Sequence, residues 1–406
     1  MTSPRVLTQA RNFSLLILSA LAIPTAAYAR PEYAVKQVMS CVACHYAPWG
    51  GGPKTVYGKI FGSRGMGMGK FTTNDTFAGS IRTIGYYPTN STTQKSNGFA
   101  LMEASLSFTG AVLENKDANT ELRAIVTYNM APLGTGLREA YGRYQTGSES
   151  IFPSYFSVGQ IYVPFGLLSD EHRTYTMLQT NMTLNNYDVG AVASGNFAPT
   201  VTYDLALVNN FYSAGAFSQG DLTYGEVYNM RWIPASLPVL LGASQNFERT
   251  MNFPQPYAFS GYMALSLDRL TNSTLHGSFL YESVFAKNWG NATLNPSIPQ
   301  FFIPASDAAY QASVATTRSW GQYAQFKYDL SNQWVLVYKF DYLNLATSYP
   351  SDAFFRNGLG FEYFAGPNVI IDARGEIGKA LRSEITPATT SLAAQDDVLL
   401  MLRLWM

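Results

Sequence analysis

From about residue 77 onward the chain alternates between apolar and polar positions with a period of two. In VIIDARGEIG, Val369, Ile371, Ala373 and Ile377 fall on one side, and Asp372, Arg374 and Glu376 on the other. In QWVLVYKFDYL, Trp334, Leu336, Tyr338, Phe340 and Tyr342 oppose Lys339 and Asp341. In ELRAIVTYNM, Leu122, Ala124, Val126, Tyr128 and Met130 oppose Glu121, Arg123, Thr127 and Asn129. GQYAQFKYDL sets Ala324, Phe326 and Tyr328 against Gln325, Lys327 and Asp329. Successive side chains of a strand point to opposite faces, so this period predicts strands, and a helical period fits these windows poorly. Strands are expected near 77–87, 97–112, 120–130, 138–146, 154–163, 186–194, 198–209, 222–232, 238–248, 257–269, 273–285, 318–329, 332–343, 354–364, 368–378 and 397–406, about 16 in all.

The links between these strands alternate in length. Short ones fall at AGP before Asn368, SN around Ser331 and LTN around Thr271; long ones span 164–185, 210–221, 286–317 and 379–396. A soluble sandwich would also alternate, but it gives no reason for short and long links to take turns. Composition sharpens the choice. Charged residues make up 13% of the chain, about half the globular norm, and aromatics, mostly Tyr and Phe, cluster near the strand ends. Beyond the first 25 residues or so there is no run of about 18 apolar residues, so helical spans are excluded. These features together predict an all-β fold, an antiparallel transmembrane β-barrel of about 16 strands in a bacterial outer membrane, with lipid outside, short periplasmic turns and long external loops. The final run DDVLLMLRLWM, with Val398, Leu400, Leu402, Leu404 and Met406 on one side, resembles the closing strand of such barrels, though it ends in Trp405-Met406 rather than Phe. The inward charges mix signs, which predicts a cross-strand ion-pair lining rather than a selectivity ring. The formal net charge of zero gives no basic surface for nucleic acid, so no such partner is expected. The loop at 286–317, with Phe301, Phe302 and Tyr310, reads as a lid over the mouth or a disordered loop.

The first 76 residues read differently. Arg5 and Arg11, the apolar stretch FSLLILSALAI and Ala27-Tyr28-Ala29 read as a secretory signal peptide over 1–29, cut before Arg30. Then comes MSCVACHYAPWGGGPK, with the two cysteines of the chain, Cys41 and Cys44, followed by His45. C-x-x-C-H is the attachment sequence for c-type haem, in which two thiols bond one rigid macrocycle and the adjacent imidazole reaches the iron. A disulfide in an exported chain and a redox-active dithiol are the other readings of the pair. Residues 30–76 are too few to build a sufficient core alone, so a plug or cap sheltered by the barrel of 77–406 is expected. If iron is present, His45 is the proximal ligand, and Met66 and Met68 are candidate distal ligands, with His172 and His276 behind them.

The order of parts resembles the fused monohaem cytochrome–porins, outer-membrane proteins that include iron(II) oxidases. It is carried by ARPEYA at 29–34, CVACH at 41–45, VYGKIFG at 56–62 and a barrel thereafter, while the GGG at 50–52 departs from that pattern. The resemblance implies one haem c per chain on Cys41 and Cys44, ligated by His45. It also implies electron transfer across the outer membrane between an extracellular donor or acceptor such as iron and a periplasmic cytochrome, which for an iron(II) donor would be oxidase activity. The alternative is a passive diffusion porin whose N-terminal cysteines form a disulfide. GQIYVPFGLLSD at 159–170 is also similar to a stretch of porin-like outer-membrane proteins, with no role attached to it.

Overall fold

The structure, a computed structural model, describes residues 76–88, 98–115, 120–131, 136–146, 154–180 (168, 170, 172 and 173 excepted), 187–209 (199 excepted), 224–249 (235 excepted), 255–288 (273 excepted), 318–347 (332 excepted), 353–381 (367 and 368 excepted) and 396–405. Sixteen strands follow one another: β1 (Phe77–Pro88), β2 (Gly98–Asn115), β3 (Thr120–Asn129), β4 (Gly136–Gln145), β5 (Tyr155–Tyr162), β6 (Tyr187–Ala198), β7 (Val201–Val208), β8 (Tyr224–Trp232), β9 (Val239–Arg249), β10 (Tyr257–Ser266), β11 (Gly277–Lys287), β12 (Arg318–Asp329), β13 (Trp334–Asn344), β14 (Ala353–Gly366), β15 (Val369–Ala380) and β16 (Asp397–Trp405). Each pairs antiparallel with its sequence neighbours. β1 pairs with β16 from Ser80 opposite Trp405 to Pro88 opposite Asp397, which closes the barrel. An antiparallel closure requires an even strand count, and it leaves no edge strand unpaired.

The burial pattern along the strands decides what surrounds the barrel. In β15 Asp372, Arg374 and Glu376 are buried, whereas Ala373 and Ile377 are exposed, Ile377 by 63%. In β13 Lys339 and Asp341 are each 0% exposed, while Trp334 and Tyr338 face outward. A water-soluble protein would place these sets the other way round, because burying charge costs several kcal/mol and exposing apolar surface forfeits hydrophobic stabilisation. The outer face is therefore solvated by lipid, and the chain is a β-barrel of the bacterial outer membrane. Outward aromatics gather near strand ends: Phe77 and Tyr87 on β1, Tyr224 and Trp232 on β8, Trp320 on β12 and Trp334 on β13. Ring pairs such as Phe77–Phe108 (5.5 Å) and Trp334–Tyr363 (4.5 Å) tie neighbouring strands in these belts.

The links after β5, β7, β11 and β15 occupy 163–186, 209–223, 288–317 and 381–396, all at one rim. Those after β6, β12 and β14, at 199–200, 330–333 and 367–368, lie at the other. Two expectations need correction. Strands do not run through 257–269 and 273–285 to a tight LTN turn: the ladder stops at Ser266, and a single helical turn, α2 (Leu267–Leu270), intervenes before β11. Ser266 Oγ accepts the Arg269 N–H (3.5 Å), and the Thr271 N–H donates to the Leu267 carbonyl (2.9 Å), so local bonds replace ladder bonds. The second concerns 164–185. It was expected to be an external loop, but its described residues turn inward, where α1 (Tyr175–Gln179) packs on β11, β12 and β13.

Candidate functional site: the inner wall and the segment that crosses it

The inward segment starts where β5 ends. Ile161 and Tyr162 are the last residues of the ladder; Val163 and Phe165 then leave it, and all four are buried in one apolar cluster with Ile125, Val227 and Val284 of the wall. Gly166 makes the turn. Its φ is +72°, a region that disfavours any Cβ, and a Cβ there would lie 2.3 Å from Glu282 Oε1. The chain passes this close because the Glu282 carboxylate holds it. Glu282 accepts the Leu167 N–H (2.7 Å), the Ser260 hydroxyl (2.8 Å) and the Thr176 hydroxyl (2.8 Å), so three donors replace its lost water. Thr174 then caps α1 by accepting the Met177 N–H (3.2 Å). The Tyr175 N–H donates to Asp341 Oδ1 (3.0 Å), and Gln179 Nε2 donates to Ser319 Oγ (2.8 Å). Gly321 leaves space for this contact, since a Cβ there would stand 2.3 Å from Gln179 Oε1.

Beside α1 the wall carries a network of charges. Glu171, from the crossing segment, accepts from Arg374 Nη1 (2.6 Å) and lies 3.5 Å from Lys339 Nζ. Lys339 also reaches Asp341 (3.3 Å) and Glu376 (3.7 Å). Arg356 pairs with Asp341 (2.8 Å) and Glu376 (3.3 Å), and its guanidinium lies 4.7 Å from the centre of the Tyr175 ring. Arg374 further holds Asp372 (2.8 Å), which Arg403 approaches at 3.9 Å. Lys327 and Glu362 form a separate pair (2.9 Å). Within the network the cations Lys339, Arg356, Arg374 and Arg403 match the carboxylates Glu171, Asp341, Asp372 and Glu376 one for one. Such a set fastens the crossing segment to β13–β15 and carries no net sign of its own, as the mixed-sign reading anticipated.

The remaining wall is also polar. Arg82 and Arg138 flank Glu103 (3.9 and 3.4 Å), Arg123 pairs with Glu121, Arg231 with Asp204, and Arg143 stacks 4.3 Å from the centre of the Tyr155 ring. Among the described residues no group of three or more His, Cys, Asp or Glu could hold a metal ion. Of the residues singled out from the sequence, Cys41, Cys44, His45, Met66, Met68 and His172 lie outside the described residues. His276 is described: it stands exposed just before β11, and its carbonyl accepts the Asp329 N–H (3.0 Å). Sequence reading did not single out Glu171, Glu282, Arg356 or Arg403. Alternation puts the last three on inward positions, but nothing periodic marks Glu171.

No protein-family model and no curated protein matches the chain. Solved structures do. The outer-membrane channel DcaP of Acinetobacter baumannii superposes with a TM-score of 0.54 at 7% identity, over 81% of this chain and 96% of that one. OmpF of Salmonella typhi gives 0.54 at 8% identity, over 81% and 97%. An anion-selective porin from Comamonas acidovorans gives 0.54 at 9% identity, over 82% and 99%. At these identities the likeness is one of fold: the chain has the closed 16-strand antiparallel barrel of outer-membrane porins.

Proposed function

We propose that the chain is an outer-membrane diffusion channel for small hydrophilic solutes. One observation carries this reading: a closed 16-strand barrel turns its charged and polar side chains inward, and among the described residues the inward segment 163–180 is bonded to one side of the wall. Barrels of this strand number leave an aqueous channel, and a segment latched to the wall narrows such a channel without blocking it. The balanced network predicts weak ion selectivity. Purified full-length protein added to a planar bilayer should give stepwise conductance increments, with a reversal potential close to zero in a potassium chloride gradient. A protein that inserts but stays silent would overturn the reading.

A second reading has its own support in the CVACH at 41–45 of a chain expected to be exported. In it Cys41 and Cys44 carry one haem c, His45 holds the iron from the proximal side and Met66 or Met68 from the distal side. The haem would supply a one-electron centre between an extracellular donor such as iron(II) and a periplasmic cytochrome. A visible spectrum recorded with and without dithionite separates the two. A covalent pigment with a redox-shifted Soret band supports the electron-transfer reading. Colourless protein from a host competent in cytochrome maturation, with Cys41 and Cys44 joined as a disulfide by mass, removes it and leaves the diffusion channel.

A further inference from the structure

An apolar island interrupts the inner wall at the barrel seam. Ile84 of β1 faces inward opposite Met401 of β16 and opposite Ala100 of β2; Tyr86 is opposite Leu399, and Met102 joins them at the bulge in β2. These six residues form one cluster, and Ile84, Leu399 and Met401 are 8%, 2% and 2% exposed although they point into the lumen. Charges border the island on two sides. Arg82 and Arg403 lie one inward position along β1 and β16, and Asp372 and Arg374 lie opposite Met401 and Leu399 on β15. A water-filled lumen gives no reason for such an island, because each apolar side chain left wet forgoes about 1.5–3 kcal/mol. Elsewhere on this wall the large apolar cluster includes chain that has left the strands: Val163 and Phe165 join Ile125, Val227 and Val284 of the wall. None of the described residues of that crossing segment joins the seam cluster.

We propose that the seam island is the docking surface for the chain's own residues 30–75, held inside the lumen against β16, β1 and β2. Three observations favour this occupant. The segment runs directly into β1, one of the island's strands, so only seven residues of extended strand, about 23 Å, separate Phe77 from Ile84. It is apolar enough to cover the island, with Val38, Trp49, Val56, Tyr57, Ile60, Phe61, Met66 and Met68. At under about 50 residues it cannot bury these side chains in a core of its own. The inference rests on the closed barrel and depends neither on the permeating solute nor on haem.

A photoreactive benzoylphenylalanine placed at Met401 of the full-length protein, irradiated in native membranes, tests it. The expected product is an intramolecular conjugate to a peptide within 30–75. Conjugation to 163–180, to a second chain or to lipid, or no conjugate at all, would overturn the proposal. A second variant, Met401→Lys, sets a charge in the island and should speed tryptic cleavage at Lys54, Lys59 and Lys70 by about tenfold or more through loss of local protection. Unchanged cleavage would count equally against docking. A conjugate obtained from colourless protein, or from protein silent in a bilayer, leaves the docking intact while it removes the corresponding functional reading.

Discussion

Replacing Glu282 by Leu should release the crossing segment while sparing the barrel. The carboxylate accepts hydrogen bonds from Leu167, Thr176 and Ser260, and the first two belong to the segment. A hydrogen bond to a charged group contributes about 1.5–3 kcal/mol net, so the two segment bonds together hold about 3–6 kcal/mol. Leucine cannot accept, and it leaves the Leu167 N–H and the Thr176 hydroxyl to find water. Rearrangement returns some of this, so the local loss should be about 2–4 kcal/mol, which raises the open population of the segment about 30- to 700-fold. The global effect has the opposite tendency, since removing a buried carboxylate removes its desolvation cost and Leu packs well beside Leu280 and Val284.

The measurement must therefore be local. Hydrogen exchange followed by mass spectrometry on peptides covering 163–180 should show faster exchange by that factor, and peptides from β13–β15 should not change. In a bilayer the same variant should show noisier open-channel current as the segment leaves the wall. Glu282→Gln keeps one acceptor oxygen, so it should fall between the two, at about 1 kcal/mol. If the Leu variant exchanges like the parent over 163–180, the carboxylate is not the latch and the hydrogen-bond reasoning fails.

Gly166→Ala places a Cβ at φ +72° and 2.3 Å from Glu282 Oε1, so it should loosen the same peptides by at least about 1–2 kcal/mol; parent-like exchange would contradict it. Lys339→Met strands Asp341 and Glu376 with fewer cations and should cost about 3–5 kcal/mol, read as a lower urea midpoint in vesicles; an unchanged midpoint would show that Arg356 and Arg374 suffice. Leu359, exposed by 58% in the middle of β14, should face lipid, so Leu359→Arg should destabilise the inserted barrel by about 2–4 kcal/mol in the same assay, and an Arg tolerated without cost would place that face in water.

Much of the barrel can be read directly from the chain, because lipid and lumen act on alternate residues of every strand. Lys339 and Asp341 sit inward and Tyr338 and Phe340 outward as the parity requires, and β12, Arg318–Asp329, begins and ends where its alternation does. Legibility fails where a local bond outcompetes the ladder. Ser266 and Thr271 close a turn of helix on themselves, so the apolar content of ALSLDRLTN reads as strand when the chain has left it. It fails again at 163–180, whose placement depends on partners over a hundred residues away: Glu282 for Leu167, and Arg374 for Glu171. No window of sequence contains both halves of such a contact.

One signal of the inner site was nevertheless present in the strands. A strand facing lipid on one side and water on the other should carry apolar residues on a single parity. β11 does not: Phe279, Tyr281 and Phe285 face outward, yet Leu280, Val284 and Ala286 face inward around the single charge of Glu282. Two apolar parities mean that the inner side meets protein, and the lone acid among them marks where that protein offers donors. The crossing segment meets both conditions, covering the apolar residues and donating to the acid. β16 has the same two-sided character, with Val398, Leu400 and Leu402 outward and Leu399 and Met401 inward, and Ile84 and Tyr86 extend its inner side across the seam. The physical demand that placed residues 163–167 against β11 thus recurs at the seam. That is why the chain that enters at β1, and not solvent, is the expected neighbour there.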